Sequence, residues 1–101
     1  MSEQMSEAAL LLWREDEEIK GQWVLSKPIT SIGRWEDNDV VIKDRWVSRH
    51  HAEVRREQDR YLIQDLGSKN GTLVNGQRIA APTALADGDE IQVTPLITLT
   101  F

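Results

Sequence analysis

The chain has 101 residues, no cysteine, 40% hydrophobic and 29% charged residues and a formal net charge of -5, which suits one globular core and excludes disulfides, thiolate metal sites and a catalytic thiol. The acidic balance argues against nucleic acid as a partner, because a broad footprint there requires neutralising many phosphates. The longest apolar run near the start, Ala8 to Trp13, is far short of the roughly 20 residues of a membrane-spanning helix and follows no basic segment, so no membrane partner and a cytoplasmic setting are expected.

Residues 1–7, Met-Ser-Glu-Gln-Met-Ser-Glu, read as a flexible tail, and residues 8–101 as the folded domain. Within it, apolar residues recur mostly at period two in short runs broken by turn chemistry, the pattern of an all-β sandwich or barrel. The first strand is expected at Ala8–Arg14 and the second at Gln22–Ser26, with the acidic stretch Glu15–Glu18 and Gly21 in an exposed loop between them. Strands follow at Ile29–Gly33 and Asp39–Ile42. His51–Arg56 and Arg60–Asp65 form a hairpin in which Ala52 and Val54 face away from Glu53 and Arg55. Thr72–Val74 and Gln77–Ile79 flank Asn75-Gly76, a pair that suits a type I′ turn because both central positions need positive φ. Asp87-Gly88-Asp89 marks a further reversal ahead of a strand at Asp89–Val93, and the last strand sets Ile97, Leu99 and Phe101 opposite Thr98 and Thr100. No window of helical length carries a capped apolar stripe. The chain stops inside a strand at an apolar residue, the boundary expected of a module cut from a longer protein. Trp13 and Trp23 fall in strands and are expected in the core, whereas Trp35 and Trp46 fall in loops, where binding and local packing are equally open.

Three loops carry the residues with chemistry: Gly33-Arg34, the run Trp46-Val-Ser-Arg-His-His-Ala52, and Lys69-Asn70-Gly71. From Lys43 to Arg56 five basic residues (Lys43, Arg45, Arg49, Arg55, Arg56) face two acidic ones (Asp44, Glu53), a local excess that suits one small anionic group. The hairpin of residues 51–65 brings Ser48 and Asn70 to one end of the fold. One intervening strand, Asp39–Ile42, would send the next loop to the opposite end, so the segment from Lys43 to Ser48, able to extend about 20 Å, is expected to climb back beside Arg34. Joined, these side chains complement a phosphorylated residue. Arg34 supplies a planar fork for two phosphate oxygens, Ser48 a hydroxyl for a third, Arg49 and Lys69 further charge, and Asn70 a donor and an acceptor for an extended peptide backbone.

The same residues resemble the forkhead-associated domains, phosphothreonine-peptide recognition modules. The likeness runs through Gly33-Arg34, Asn38-Asp39-Val40-Val41-Ile42, Ser48-Arg49-His50-His51-Ala52, Asp65-Leu66-Gly67-Ser68-Lys69-Asn70-Gly71-Thr72, Val74-Asn75-Gly76 and Leu85-Ala86-Asp87-Gly88-Asp89, and covers the chain from about residue 8 onward. The resemblance implies an eleven-stranded β-sandwich with ligand-binding loops at one apex. It further implies that Arg34 and Ser48 bind phosphate, that Arg49 adds a ligand contact, that Asn70 holds the peptide backbone, and that Gly33, His51 and Gly71 support the site. Lys69 stands where many members carry Thr or Ser, which raises positive potential and removes a hydroxyl. Trp46 stands where the family often reads the third residue after phosphothreonine, and a tryptophan there favours an apolar contact. The implied partner is a phosphothreonine-containing protein or peptide, in trans or within the parent polypeptide, bound by a monomeric domain without cofactor or metal. The alternative is the same fold used for phosphate-independent interaction or self-association.

Each residue alone admits a plainer role: Arg34 as a surface arginine paired with Glu36 or Asp37, Ser48 as a turn residue, Asn70-Gly71 as a hairpin turn. Their common order and spacing favour the joint site. His50 and His51 are neighbours in an extended segment, so they point to opposite faces and do not converge on one metal ion. Ser48, His51 and Asp65 could be imagined as a hydrolase triad, but the chain lacks a Gly-x-Ser-x-Gly nucleophile elbow, and no enzyme is expected.

Overall fold

A computed structural model describes residues 9–101, and the expected tail at residues 1–7 lies outside them. Eleven strands follow in order: β1 (Leu10–Glu15), β2 (Glu18–Val24), β3 (Ile29–Gly33), β4 (Val40–Val41), β5 (Ala52–Glu57), β6 (Arg60–Asp65), β7 (Leu73–Val74), β8 (Gln77–Arg78), β9 (Thr83–Leu85), β10 (Glu90–Thr94) and β11 (Ile97–Thr100). No helix occurs among the described residues. The strands form a six-stranded sheet, β2-β1-β11-β10-β7-β8, and a five-stranded sheet, β4-β3-β5-β6-β9, so the expected eleven-stranded sandwich is the fold.

Alternation of side chains closes the core between the sheets. Leu11, Val74, Ile91, Val93, Ile97 and Leu99 are buried from the larger sheet, and Ile32, Val40, Ala52, Val54 and Ile63 from the smaller. Each Ile or Leu fully withdrawn from water stabilises the fold by about 2 kcal/mol relative to an exposed one. Trp13 and Trp23 stack with ring centroids 6.5 Å apart and planes 11° apart, packing on this core from half-buried positions. Asn75 and Gly76 adopt φ of 51° and 83° and join β7 to β8, the tight turn their sequence requires.

Three expectations need correction. The acidic stretch is not a loop: Glu18 pairs with Glu15, and only Asp16 and Glu17, both at positive φ, turn the first hairpin. Thr83–Leu85 is a strand not expected from its periodicity, paired with β6 through Leu85 to Tyr61 and Thr83 to Ile63. Most consequential for the site, β4 runs parallel to β3, with Val40 beside Ile32 and Val41 beside Gly33. Both strands therefore end at the same apex. The return is made by the Arg34–Asp39 segment, which is fixed to β3 because the Asp39 carboxylate accepts from Ser31 N–H and Oγ–H. The Lys43–Ser48 segment has no distance to climb; it folds into a turn in which Val47 N–H donates to Asp44 O and Trp46 N–H to Asp44 Oδ1.

Candidate functional site

The antiparallel pairing of β5 with β6, Ala52 opposite Asp65, places the residues just before β5 and just after β6 at one end of the smaller sheet. The end of β3 arrives there too, because β3 pairs with β5 through Ile32 and Ala52. Hydrogen bonds then tie the three loops together. Arg34 N–H donates to Ser48 O at 3.0 Å and Arg34 Nε to Val47 O at 2.9 Å. This spends one edge of the guanidinium on the neighbouring loop and leaves its Nη groups for a ligand. Glu36 pairs with Lys43 and Asp37 with His50, so the plainer reading of Arg34 as their partner does not hold.

Ser48 Oγ accepts from Lys69 N–H at 3.0 Å. With that lone pair engaged, the hydroxyl hydrogen is the group it has to offer outward. Asn70 Nδ2 donates to Trp46 O at 2.7 Å, leaving Oδ1 and a second N–H of its exposed amide. Arg49 and Lys69 are both exposed on the same loops.

Beneath them lies His51, fully buried. Its Nδ1 accepts from Ser48 N–H at 3.0 Å, so Nε2 carries the proton and donates to Gly71 O at 2.8 Å. One imidazole thus links the second loop to the third. Burial pushes His51 below its ordinary value, opposed by the Gly71 carbonyl and the nearby Asp65 charge. Both ring nitrogens are committed to backbone, so His51 has no site free to take a proton from Ser48 Oγ, and the imagined triad is not assembled. His50, by contrast, is exposed and bonded to Asp37.

The third loop is wound around Asp65. Its Oδ2 accepts from Gly67 and Ser68 N–H and its Oδ1 from Ser68 Oγ–H and Thr72 Oγ1–H. Burial alone would raise this carboxyl, but the Ser68 and Thr72 donors hold it below its ordinary value. Ser68 Oγ in turn accepts from Gly71 N–H at 2.9 Å. Gly71 is buried at φ 88° with the Arg78 side chain lying across it.

Gly33 is required by contact: a β-carbon there would collide with Arg49 O and meet Asn38 Nδ2 at 2.7 Å. Asn38 was not among the expected site residues. It is 7% exposed and donates from Nδ2 to both Trp35 O and Arg49 O at 2.8 Å, clamping the first loop to the second. Its place two residues ahead of the apolar run Val40–Ile42 was the sequence signal for it, but its partners are carbonyls that no motif names. The arginines also rest on aromatic rings: the Arg34 and Arg49 guanidinium carbons lie 5.7 and 5.2 Å from the Trp35 ring centroid, and that of Arg45 lies 5.2 Å from the Trp46 ring. Beyond Asn70, Trp46, Leu73, Val93 and Pro95 line an open groove of about 500 Å³.

Comparison with known proteins agrees with this fold. A model of the FHA domain matches residues 30–94. Glycogen accumulation regulator GarA of Mycolicibacterium smegmatis is 40% identical over 88 residues, covering 87% of this chain and 55% of that protein, so the chain spans about half the length of the curated relatives it matches. Among solved structures, the FHA domain of a Chlamydia trachomatis protein superposes with a TM-score of 0.86 at 27% identity, covering 93% of this chain and 95% of that one. Mycobacterium tuberculosis EmbR in complex with a low-affinity phosphopeptide superposes with a TM-score of 0.80 at 35% identity, covering 92% of this chain and 24% of that one.

Proposed function

The chain belongs to the FHA domain family, and on that premise we propose that its loop apex binds phosphothreonine in an extended peptide, making it a phosphorylation-dependent interaction module and not an enzyme. The observation that carries this is the convergence of Arg34, Ser48 and Asn70 from three loops, each held by a hydrogen bond that leaves its ligand-facing groups free. Arg34 and Ser48 bind the phosphate, Arg49 and Lys69 add charge, and Asn70 pairs with the peptide backbone. His51, Gly33 and Gly71 keep the loops in place.

Trp46 and the apolar groove beside it take an apolar side chain at the third position after phosphothreonine. The similar EmbR structure, which contains a phosphopeptide, supports the ligand class. No helix among the described residues is long and apolar enough to cross a membrane, and we place the domain in the cytoplasm. Charge-assisted hydrogen bonds of about 1.5 to 3 kcal/mol each, less the ordering of a flexible peptide, give an affinity on the order of micromolar.

Calorimetry with phosphothreonine, phosphoserine and unphosphorylated versions of one peptide tests the proposal. Phosphothreonine should bind tightest and the unphosphorylated peptide should not bind measurably. Equal binding by all three contradicts it, and a partner that survives Arg34→Ala with Ser48→Ala points to the same fold used for phosphate-independent interaction or self-association.

A further inference from the structure

Trp35 is a large apolar side chain, 45% exposed, and it is not among the residues that pack on the core. What it touches instead is the cationic half of the site: both Arg34 and Arg49 approach its ring within 6 Å of the centroid, a separation at which the ring quadrupole attracts a guanidinium. The two arginines come from different loops, and Trp35 is the side chain they share.

The surroundings hold this arrangement. Asn38 bonds the carbonyls of Trp35 and Arg49, and Trp35 N–H donates to Arg49 O at 3.3 Å, so the backbone under the indole is fixed whatever side chain it bears. The adjacent carboxylates are engaged elsewhere, Glu36 with Lys43 and Asp37 with His50. Among the described residues neither Arg34 nor Arg49 has a carboxylate partner; the indole is the restraint their long side chains share, beside the bond of Arg34 Nε to Val47 O.

We propose that Trp35 is a positioning residue of the phosphate site, a shelf that pre-orders the Arg34 and Arg49 guanidinium groups and keeps them turned toward the ligand. The proposal rests on the phosphate-binding function proposed above. Without the shelf, Arg49 must be immobilised when the phosphate arrives and Arg34 is held by its Nε bond to Val47 O without the ring, so affinity falls by that ordering and by the lost attraction. The indole N–H is itself a donor, and Trp35→Phe, which keeps the ring and removes that donor, separates a direct bond to phosphate from an effect through the arginines.

The test is calorimetry with one phosphothreonine peptide and its unphosphorylated counterpart against the wild-type chain and the variants Trp35→Ala, Trp35→Leu, Trp35→Phe and Arg34→Ala, with thermal unfolding of each. Trp35→Ala and Trp35→Leu should bind the phosphopeptide about five- to twentyfold more weakly, Trp35→Phe should stay within about threefold of wild type, and Arg34→Ala should lose binding. In an Arg49→Ala background the effect of Trp35→Ala should shrink, because one of the two guanidinium groups it serves is gone. Wild-type affinity in Trp35→Leu would show that apolar cover suffices and overturn the proposal. So would wild-type affinity in Trp35→Ala; if Arg34→Ala still lost binding, the function would stand and the shelf alone would fall. A wild-type chain that bound both peptides equally would overturn both. If Trp35→Ala lowered the unfolding midpoint, the contrast of Phe with Leu would decide.

Discussion

His51 couples the site to pH. Its neutral form is built into the apex, because protonating Nδ1 removes the acceptor for Ser48 N–H. Burial lowers its folded-state value below the ordinary 6.5, so between the two values the unfolded chain binds the extra proton. Stability is then complete above about pH 6.5 and declines as pH falls through that window. Urea unfolding at pH 7.5, 6.5 and 5.5 should show this fall. Replacing His51 by Ala should flatten that slope and lower stability at pH 7.5 by about 3 kcal/mol, through the lost packing and the stranded Ser48 N–H and Gly71 O. A second decline is expected in acid, below the ordinary carboxyl value of 3.8, as Asp65 and Asp89 are protonated and release the donors that hold them low. That His51, Arg34, Ser48 and Asn70 come together at one end of the fold was legible from residue type and order. The roles of Asn38 and Trp35 were not, because they act on backbone carbonyls and guanidinium groups brought close only by folding.

At the scale of elements, turn chemistry carried the most information. Asn75-Gly76 was legible because a type I′ turn demands residues that accept positive φ. Nothing lies within 4 Å of a β-carbon placed on Gly76, so strain at its φ of 83° is the whole effect of adding one. Gly76→Ala should therefore lower stability by about 1 kcal/mol in denaturant unfolding and leave phosphopeptide affinity unchanged. Gly33→Ala should behave oppositely: the collision with Arg49 O displaces the second loop, so affinity should fall more than about tenfold in the same titration that leaves Gly76→Ala unaffected. One element, β9, and the direction of another, β4, escaped the sequence. β9 is three residues long and exists through its pairing with β6, a partner some twenty residues away. β4 has two residues, too few for alternation to report direction, and its parallel course beside β3 follows from the bonds of Asp39 to Ser31. That direction brings Arg34 and Ser48 together without the long ascending loop that an antiparallel strand would have required.

The whole molecule is acidic, with a formal net charge of -5, yet its apex is not. Glu36 and Asp39 are paired with Lys43 and Lys27, Asp37 is hydrogen-bonded to His50 Nε2, and Asp44 takes the Trp46 N–H. Arg34, Arg45, Arg49 and Lys69 have no carboxylate partner among the described residues. A dianionic ligand is thus drawn to one end of a body that otherwise repels it. Raising salt from about 0.05 to 0.5 M should weaken phosphopeptide binding several-fold, chiefly by slowing association in stopped-flow traces. A titration of backbone amide resonances with a phosphothreonine peptide tests whether the three loops form one ligand apex. Shifts concentrated at Gly33–Trp35, Ser48–Arg49 and Lys69–Gly71, and absent for the unphosphorylated peptide, are predicted. Shifts centred on the outer face of either sheet, or the same shifts with both peptides, would contradict it.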